Sequence, residues 1–126
     1  MTFNESMQKI PAHWTIQRST PFFTRDNVPE ALLKHHNTAK GVFGQICVMA
    51  GTLTYYGFPD ENSHEPEQVL IVNAGEFITS PPQYWHRVEL SEDAQFNINF
   101  WSDPEGRKGR LLNTASSSEN RADSET

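Results

Sequence analysis

Two consecutive prolines, Pro81-Pro82, stand between the apolar pair Phe77-Ile78 and the segment Tyr84-Trp85-His86-Arg87-Val88. Proline has no N–H to donate and fixes its own φ, so the chain at this point is neither helix interior nor central strand. With Gly75 breaking the apolar run before Phe77, residues 75–89 read as a strand, a hard turn and a second strand that delivers His86 to a defined place. A histidine held just after a rigid turn loses little further freedom on binding a metal, which suits it as a ligand. Taken alone, a histidine beside a tryptophan has the plainer reading of a packed or hydrogen-bonded surface residue.

The rest of the chain carries the same alternation of short strands and turns. Trp14 to Ser19 fits a short edge strand before Pro21, Asp26 to Lys34 holds at most one helical turn, and His35 to Gly41 has the composition of a loop. Val42 to Met49, a turn at Ala50-Gly51 and Thr52 to Phe58 predict a hairpin. An acidic loop from Pro59 to Glu67 leads into apolar Gln68 to Asn73, followed by Glu76 to Thr79 and Tyr84 to Leu90. Gln95 to Trp101 alternates strictly, with Phe96, Ile98 and Phe100 on one face and Asn97 and Asn99 on the other. About six or seven such strands predict an all-β sandwich or barrel. The expected divisions are a lead-in over 1–13, the β domain over 14–101 and a polar tail over 102–126. The tail has too little apolar surface to offset ordering, so disorder is expected from about Asn113, with Arg107 to Leu112 docking on the barrel or a partner.

A chain of 126 residues fits one domain, and its net charge of −6 excludes the electrostatic footprint of a nucleic-acid or anionic-membrane binder. Small molecules, cations or other proteins, including a second copy in a homodimer, are the expected partners. Cys47 is the single cysteine, which excludes an internal disulfide and a cysteine zinc finger, and its apolar neighbours make it a buried, inert thiol. No apolar run approaches a membrane span, and Met1 to Ile10 is too polar for a signal peptide, so a cytoplasmic location is expected. Phosphate-loop, nucleophile-elbow, zincin and dinucleotide signatures are absent, and no organic cofactor site is expected.

Of the five histidines, His36 and His86 are the two that an antiparallel barrel would bring side by side. Two imidazoles need further donors to hold a metal. Glu65, Glu67 and His64 in the acidic loop are candidates, with Gln68 and Gln45 as neutral oxygen donors. Glu89 falls on the opposite face of its strand from His86, and His35 diverges from His36. Tyr55, Tyr56 and Trp85 are candidates to line a ligand pocket, against the commoner role of strand aromatics in core packing. Imidazole suits zinc, iron, copper and nickel alike. Zinc is taken first, with iron or nickel as alternatives.

Gly75, Pro81 and His86 also fall at the spacing of the second cupin motif, G-x5-P-x-G-x2-H-x3-N, with Gln83 in place of its glycine and Leu90 in place of its asparagine. Val48 to Leu53 resembles the strand-turn-strand that closes the first cupin motif. His36-Asn37-Thr38 with Gly41 and Gly44, and then Pro82 to Glu89, closely resemble the cupin-like domain that precedes the methyltransferase in tellurite-resistance proteins of the TehB type, a domain that also occurs alone in small YeaR-like bacterial stress proteins. The likeness covers about Ile16 to Trp101. It implies a cupin-like double-stranded β-barrel (jelly roll), a metal site at His36 and His86, and an association with tellurite or nitrate/nitrite stress without methyltransferase activity of its own. The first motif departs from the general pattern: Thr38 replaces the second histidine of H-x-H, and Gln45 lies near the usual glutamate. A metal-dependent enzyme acting on a small molecule or oxyanion, and a non-catalytic dimeric module, are the alternative expectations.

Overall fold

Strict alternation makes the strand Gln95–Ser102 one-sided: Phe96, Ile98 and Phe100 are buried while Asn97 and Asn99 face away from them. The same logic builds the whole molecule. The computed structural model describes residues 2–3, as backbone, and 9–105. Among these the strands are β1 (Thr2–Phe3), β2 (Thr15–Ser19), β3 (His36–Asn37), β4 (Phe43–Ala50), β5 (Thr52–Phe58), β6 (Gln68–Asn73), β7 (Glu76–Ser80), β8 (Trp85–Leu90) and β9 (Gln95–Ser102), with a 3₁₀ turn at Glu30–Leu33. One sheet has the order β1-β7-β4-β9-β2 and the other β3-β8-β5-β6. All pairings are antiparallel except the two-residue contact of β1 with β7. No ladder joins the two sheets into a closed barrel among the described residues.

The core lies between the sheets. Ile46, Val48, Ile78, Phe96 and Ile98 come from the first and Leu53, Tyr55, Val72 and Val88 from the second, while Leu32 of the 3₁₀ turn joins the same cluster. Burying a large apolar side chain contributes roughly 1.5–3 kcal/mol, so these positions specify which face of each strand turns inward. β2 is an edge strand and 26–34 supplies one helical turn, as the sequence predicts. Cys47 is buried, and no helix among the described residues is long and apolar enough to cross a membrane. The tail features expected from Arg107 onward lie outside the described residues.

Two expectations change. The hairpin expected from 42–49 and 52–58 does not form: β4 pairs with β7 and β9, while β5 pairs with β6 and β8 in the other sheet. Gly51 makes the corner between the sheets at φ +67°, and a Cβ there would stand 2.6 Å from Asp93 Oδ1 and 2.7 Å from the Ala94 backbone. From β4 onward only the β5–β6 connection stays within one sheet. The loop expected at 35–41 contributes a two-residue strand, β3, which pairs with β8.

Candidate functional site

His36 and His86 are direct cross-strand partners on β3 and β8, so their side chains leave the sheet on the same face. Their ring centroids lie 4.2 Å apart at an interplanar angle of 58°. His86 is only 4 % exposed and His36 is half-buried. Each ring is oriented by a backbone carbonyl: His36 Nδ1 lies 3.0 Å from the Lys34 oxygen and His86 Nδ1 2.7 Å from the Tyr84 oxygen. A carbonyl oxygen only accepts, so Nδ1 is the protonated nitrogen in both rings and each Nε2 keeps its lone pair. His36 Nε2 is buried and has no hydrogen-bond partner among the described residues.

Burial disfavours the charged imidazolium and keeps both rings neutral. For His86 it acts together with neighbouring His36 to bring the pKa down to about 3, against a smaller opposing effect of the Tyr84 carbonyl. His36 is lowered by burial and by His35, opposed by the Lys34 carbonyl. Neutral imidazoles with a second-sphere carbonyl on Nδ1 and a free Nε2 are the form in which histidine ligates metals. The two rings thus offer a pair of nitrogen donors of the kind that the resemblance to metal-binding cupins implies.

Below the pair, Tyr55 stacks on His86 with centroids 5.2 Å apart and planes within 18°. The Tyr55 and Ser80 hydroxyls are 2.6 Å apart, and Ser80 Oγ also lies 3.4 Å from both Thr38 Oγ1 and His86 Nδ1. Burial pushes the Tyr55 phenol far up, so it stays protonated. Thr38, which stands where the general motif has its second histidine, and Ser80, which sequence reasoning did not single out, thus form a small polar floor beneath the histidines.

The remaining candidates are spread out. Gln68 belongs to the same cross-strand row as the histidines, because Gly57 pairs with His86 on one side and Gln68 on the other. The ring of Tyr84 covers Gly57, where an added Cβ would meet it at 2.5 Å. Its hydroxyl donates to Glu67 Oε2 at 2.7 Å and accepts from Gln68 Nε2 at 3.1 Å. Burial and the Glu67 hydrogen bond raise the Tyr84 pKa to about 12. Gln68 Oε1 is buried without a partner among the described residues.

Glu65 is exposed in the acidic loop, its backbone tied to Ser63. His64 is exposed too, with its ring 6.3 Å from that of His35; His35 itself stacks on Phe58 at 3.9 Å and bonds the Ser63 carbonyl. Among the described residues no three His, Cys, Asp or Glu side chains are grouped to hold a metal.

Two placements correct the expected pocket lining and one removes a donor candidate, Gln45. Tyr56 and Trp85 each sit one residue from an inward-facing neighbour, Tyr55 and His86, and so point to the opposite face of the sheet. There Tyr56 bonds Glu89 at 2.9 Å and lies under Arg87 at 4.0 Å. Gln45 faces outward from the other sheet, where its Oε1 accepts from Asn99 Nδ2 and Trp101 Nε1, both at 3.0 Å. Of the expected lining only Tyr55 lies beneath the histidines. The signal that would have found Tyr84 was present, since it stands two residues before His86 and shares its side of the chain.

Residues 18–98 match the TehB-like domain. The chain belongs to that family. It is 39 % identical over 103 residues to the protein YeaR of Escherichia coli K12, a match spanning 79 % of this chain and 87 % of YeaR. It is 31 % identical over 98 residues to TehB of Haemophilus influenzae Rd, named a probable S-adenosyl-L-methionine-dependent methyltransferase, and there the match spans 77 % of this chain but 34 % of TehB. A crystal structure of an Escherichia coli K12 protein superposes with a TM-score of 0.76 at 38 % identity, covering 79 % of this chain and all (100 %) of that one. The crystal structure of Haemophilus influenzae TehB gives a TM-score of 0.70 at 24 % identity over 85 % of this chain and 38 % of that one, a likeness of fold. In this chain the TehB-like domain is an all-β unit of two packed sheets that carries the His36–His86 pair between them.

Proposed function

We propose that this TehB-like domain binds one divalent transition metal through the Nε2 atoms of His36 and His86. The observation that carries the reading is the commitment of both Nδ1 nitrogens to backbone carbonyls, which leaves two lone-pair nitrogens on adjoining rings, one of them buried and unpartnered. Zinc is the first choice, with iron or nickel next, because imidazole accepts all three. Such an ion would supply Lewis acidity beside the polar floor of Ser80 and Thr38. Further donors are water and, after movement of Tyr84, Gln68 or the loop carboxylate Glu65. Connections that cross between two sheets support a cupin-like jelly roll as the finer description of the fold.

The similarity to TehB and YeaR supports a role in the response to tellurite or nitrate/nitrite stress. The methyltransferase activity in the name of TehB is not carried over, because the match spans 34 % of that protein. Metal analysis of protein purified without an affinity tag tests the binding. The expected result is about one equivalent per chain, lost in His36→Ala and His86→Ala; a content well below one that neither substitution changes would refute it.

A second reading, a dimer that pairs sheet edges, rests on the edge strand β6, whose Val69 and Ile71 are 52 % and 60 % exposed. A mass in solution equal to one chain, unchanged by Ile71→Lys, would remove it.

A further inference from the structure

Thr38, Ser80 and Tyr55 form a chain of three hydroxyls joined by two contacts, at 3.4 Å and 2.6 Å. Three O–H groups meeting at two contacts leave one proton over, whichever way the chain is oriented. That proton is not the phenol's. Tyr55 is fully buried, and Ser80 is the hydrogen-bond partner of its hydroxyl among the described residues, so the phenol has to donate to Ser80 Oγ. His86 Nδ1, 3.4 Å from Ser80 Oγ, carries a proton itself and accepts none. The surplus O–H therefore belongs to Ser80 or Thr38, with no acceptor for it among the described residues.

Ser80 and Thr38 line one cavity with His36 and His86, and the rings show the opposite deficit. His36 Nε2 is buried without a partner, and His86 Nε2 keeps its lone pair because Nδ1 holds the proton. A spare donor thus shares a space with spare acceptors, and no direct bond joins them among the described residues. Gly44, the cross-strand partner of both Ser80 and Phe100, has no side chain to fill that space. The cavity, of about 20 Å³, admits at least one water-sized group. Leu32, Ile46, Val88, Ile98 and Phe100 supply hydrocarbon around it, and no Lys, Arg, Asp or Glu lines it. An oxygen that accepts one hydrogen bond and donates another joins the two sides, and that describes a hydroxyl group. A group that only accepts, such as a nitrile or a carboxylate, takes the surplus proton but leaves both imidazole lone pairs unmatched, at a cost. Water meets the polar groups alone, whereas a hydroxyl on a small carbon carrier also covers the apolar lining.

We infer that the cavity between His36, His86, Ser80 and Thr38 binds the hydroxyl group of a small uncharged molecule. Its oxygen accepts from Ser80 or Thr38 and its proton goes to an imidazole Nε2, while its carbon end lies against Ile46, Ile98 and Phe100. The inference goes beyond the metal reading and needs no ion, since every group it uses belongs to the metal-free chain.

The test uses the full chain, freed of metal by a chelator and isotopically labelled in its histidine rings, with the NMR shifts of the ring nitrogens as readout. Titration with ethanol should move the Nε2 resonance of His36 or His86 in a saturable way and leave those of the exposed His13 and His64 in place. Acetonitrile, which only accepts, and formate, which carries no proton at neutral pH, should move neither. Thr38→Val combined with Ser80→Ala removes both candidate donors and should weaken ethanol binding about tenfold, with a thermal melt to show that the variant is folded. Should it not fold, the three probes on the wild type decide. The inference is overturned if ethanol moves neither Nε2 resonance, the result of a site filled by water alone. It is equally overturned if acetonitrile or formate moves them as far, or if the folded double variant binds ethanol like the wild type. Metal content plays no part in these readouts, so the metal reading and this one stand or fall separately.

Discussion

Replacing Gly57 by alanine should disturb the wall between the histidines and Gln68, and the structure fixes how much. The new Cβ would lie 2.5 Å from Tyr84 Cε2 and Oη and 2.8 Å from Cζ, distances at which the ring has to move. The colliding atoms belong to the far end of one side chain, so the backbone of β5 can stay in place and Tyr84 swings away. It then loses the bonds to Glu67 at 2.7 Å and Gln68 at 3.1 Å. Overpacking of this kind costs about 1–3 kcal/mol, and each partly exposed hydrogen bond adds about 0.5–1 kcal/mol. Alanine in a strand recovers about 0.5–1 kcal/mol relative to glycine. The net loss is about 2 kcal/mol, which lowers the melting temperature of a domain this size by about 10 °C. A double-mutant cycle isolates the cause. In a Tyr84→Ala background the collision is gone, so Gly57→Ala should be neutral or mildly stabilising, giving a coupling energy of about 2 kcal/mol by urea denaturation. An equal cost of Gly57→Ala in both backgrounds would refute the account, because it would place the strain in the backbone of β5.

Two further outcomes are expected. Gln83 holds φ at 59°, a left-handed conformation that costs a residue with a Cβ roughly 1–2 kcal/mol; Gln83→Gly should therefore raise the unfolding free energy by about 0.5–1 kcal/mol after its larger unfolded-state entropy is counted, and Gln83→Val should lower it. Equal or inverted effects in thermal melts would show that the turn is not strained at this residue. For metal-free protein the sign of the pH dependence follows from His86, whose pKa is about 3 folded against 6.5 for the ordinary group. Between those values the unfolded chain binds more protons, so stability is fully present above about pH 6.5 and falls by several kcal/mol as the pH drops toward about 3. His36 shifts in the same direction. Urea midpoints measured across that window should fall steadily, with a visibly shallower slope in His86→Gln; a flat profile in the wild type would contradict neutral burial of the ring.

Much of this site is legible in the sequence because two local rules hold. The Pro81-Pro82 turn starts β8 where the sequence places it, and alternation puts His86 inside and Glu89 outside. The pairing of His36 with His86 follows from barrel-like adjacency even though residues 35–41 look like a loop. The same parity argument, applied one residue to either side, would have turned Trp85 and Tyr56 outward; their aromatic character outweighed it. The β4–β5 corner was not legible for a different reason. A turn at Ala50-Gly51 is compatible with a hairpin or with a crossing between sheets, and what decides is the packing of Gly51 against Asp93 and Ala94, more than forty positions away in sequence. Gln83 shows the reverse case. The resemblance marks its position as a glycine of the cupin motif, and the positive φ supplies the physical reason that glycine is usual there.

A hydrogen bond from one ring to the other does not account for the histidine pair. That arrangement needs a free N–H on one ring facing a lone pair on its neighbour. Both Nδ1–H groups are already engaged, with the Lys34 and Tyr84 carbonyls, and a second proton on either ring is opposed by burial and, for His86, by the neighbouring imidazole. Two acceptors are therefore held on adjoining rings with no proton to share between them. An unpaired buried acceptor costs about 1–3 kcal/mol, and His36 Nε2 is such an atom. Hydrophobic residues at both positions would avoid that cost, and Val88 and Leu53 already fill equivalent inward positions farther along the same sheet. What the imidazoles offer in return is affinity for an electrophile, and the proposed divalent cation would satisfy these lone pairs while leaving the two carbonyl bonds intact.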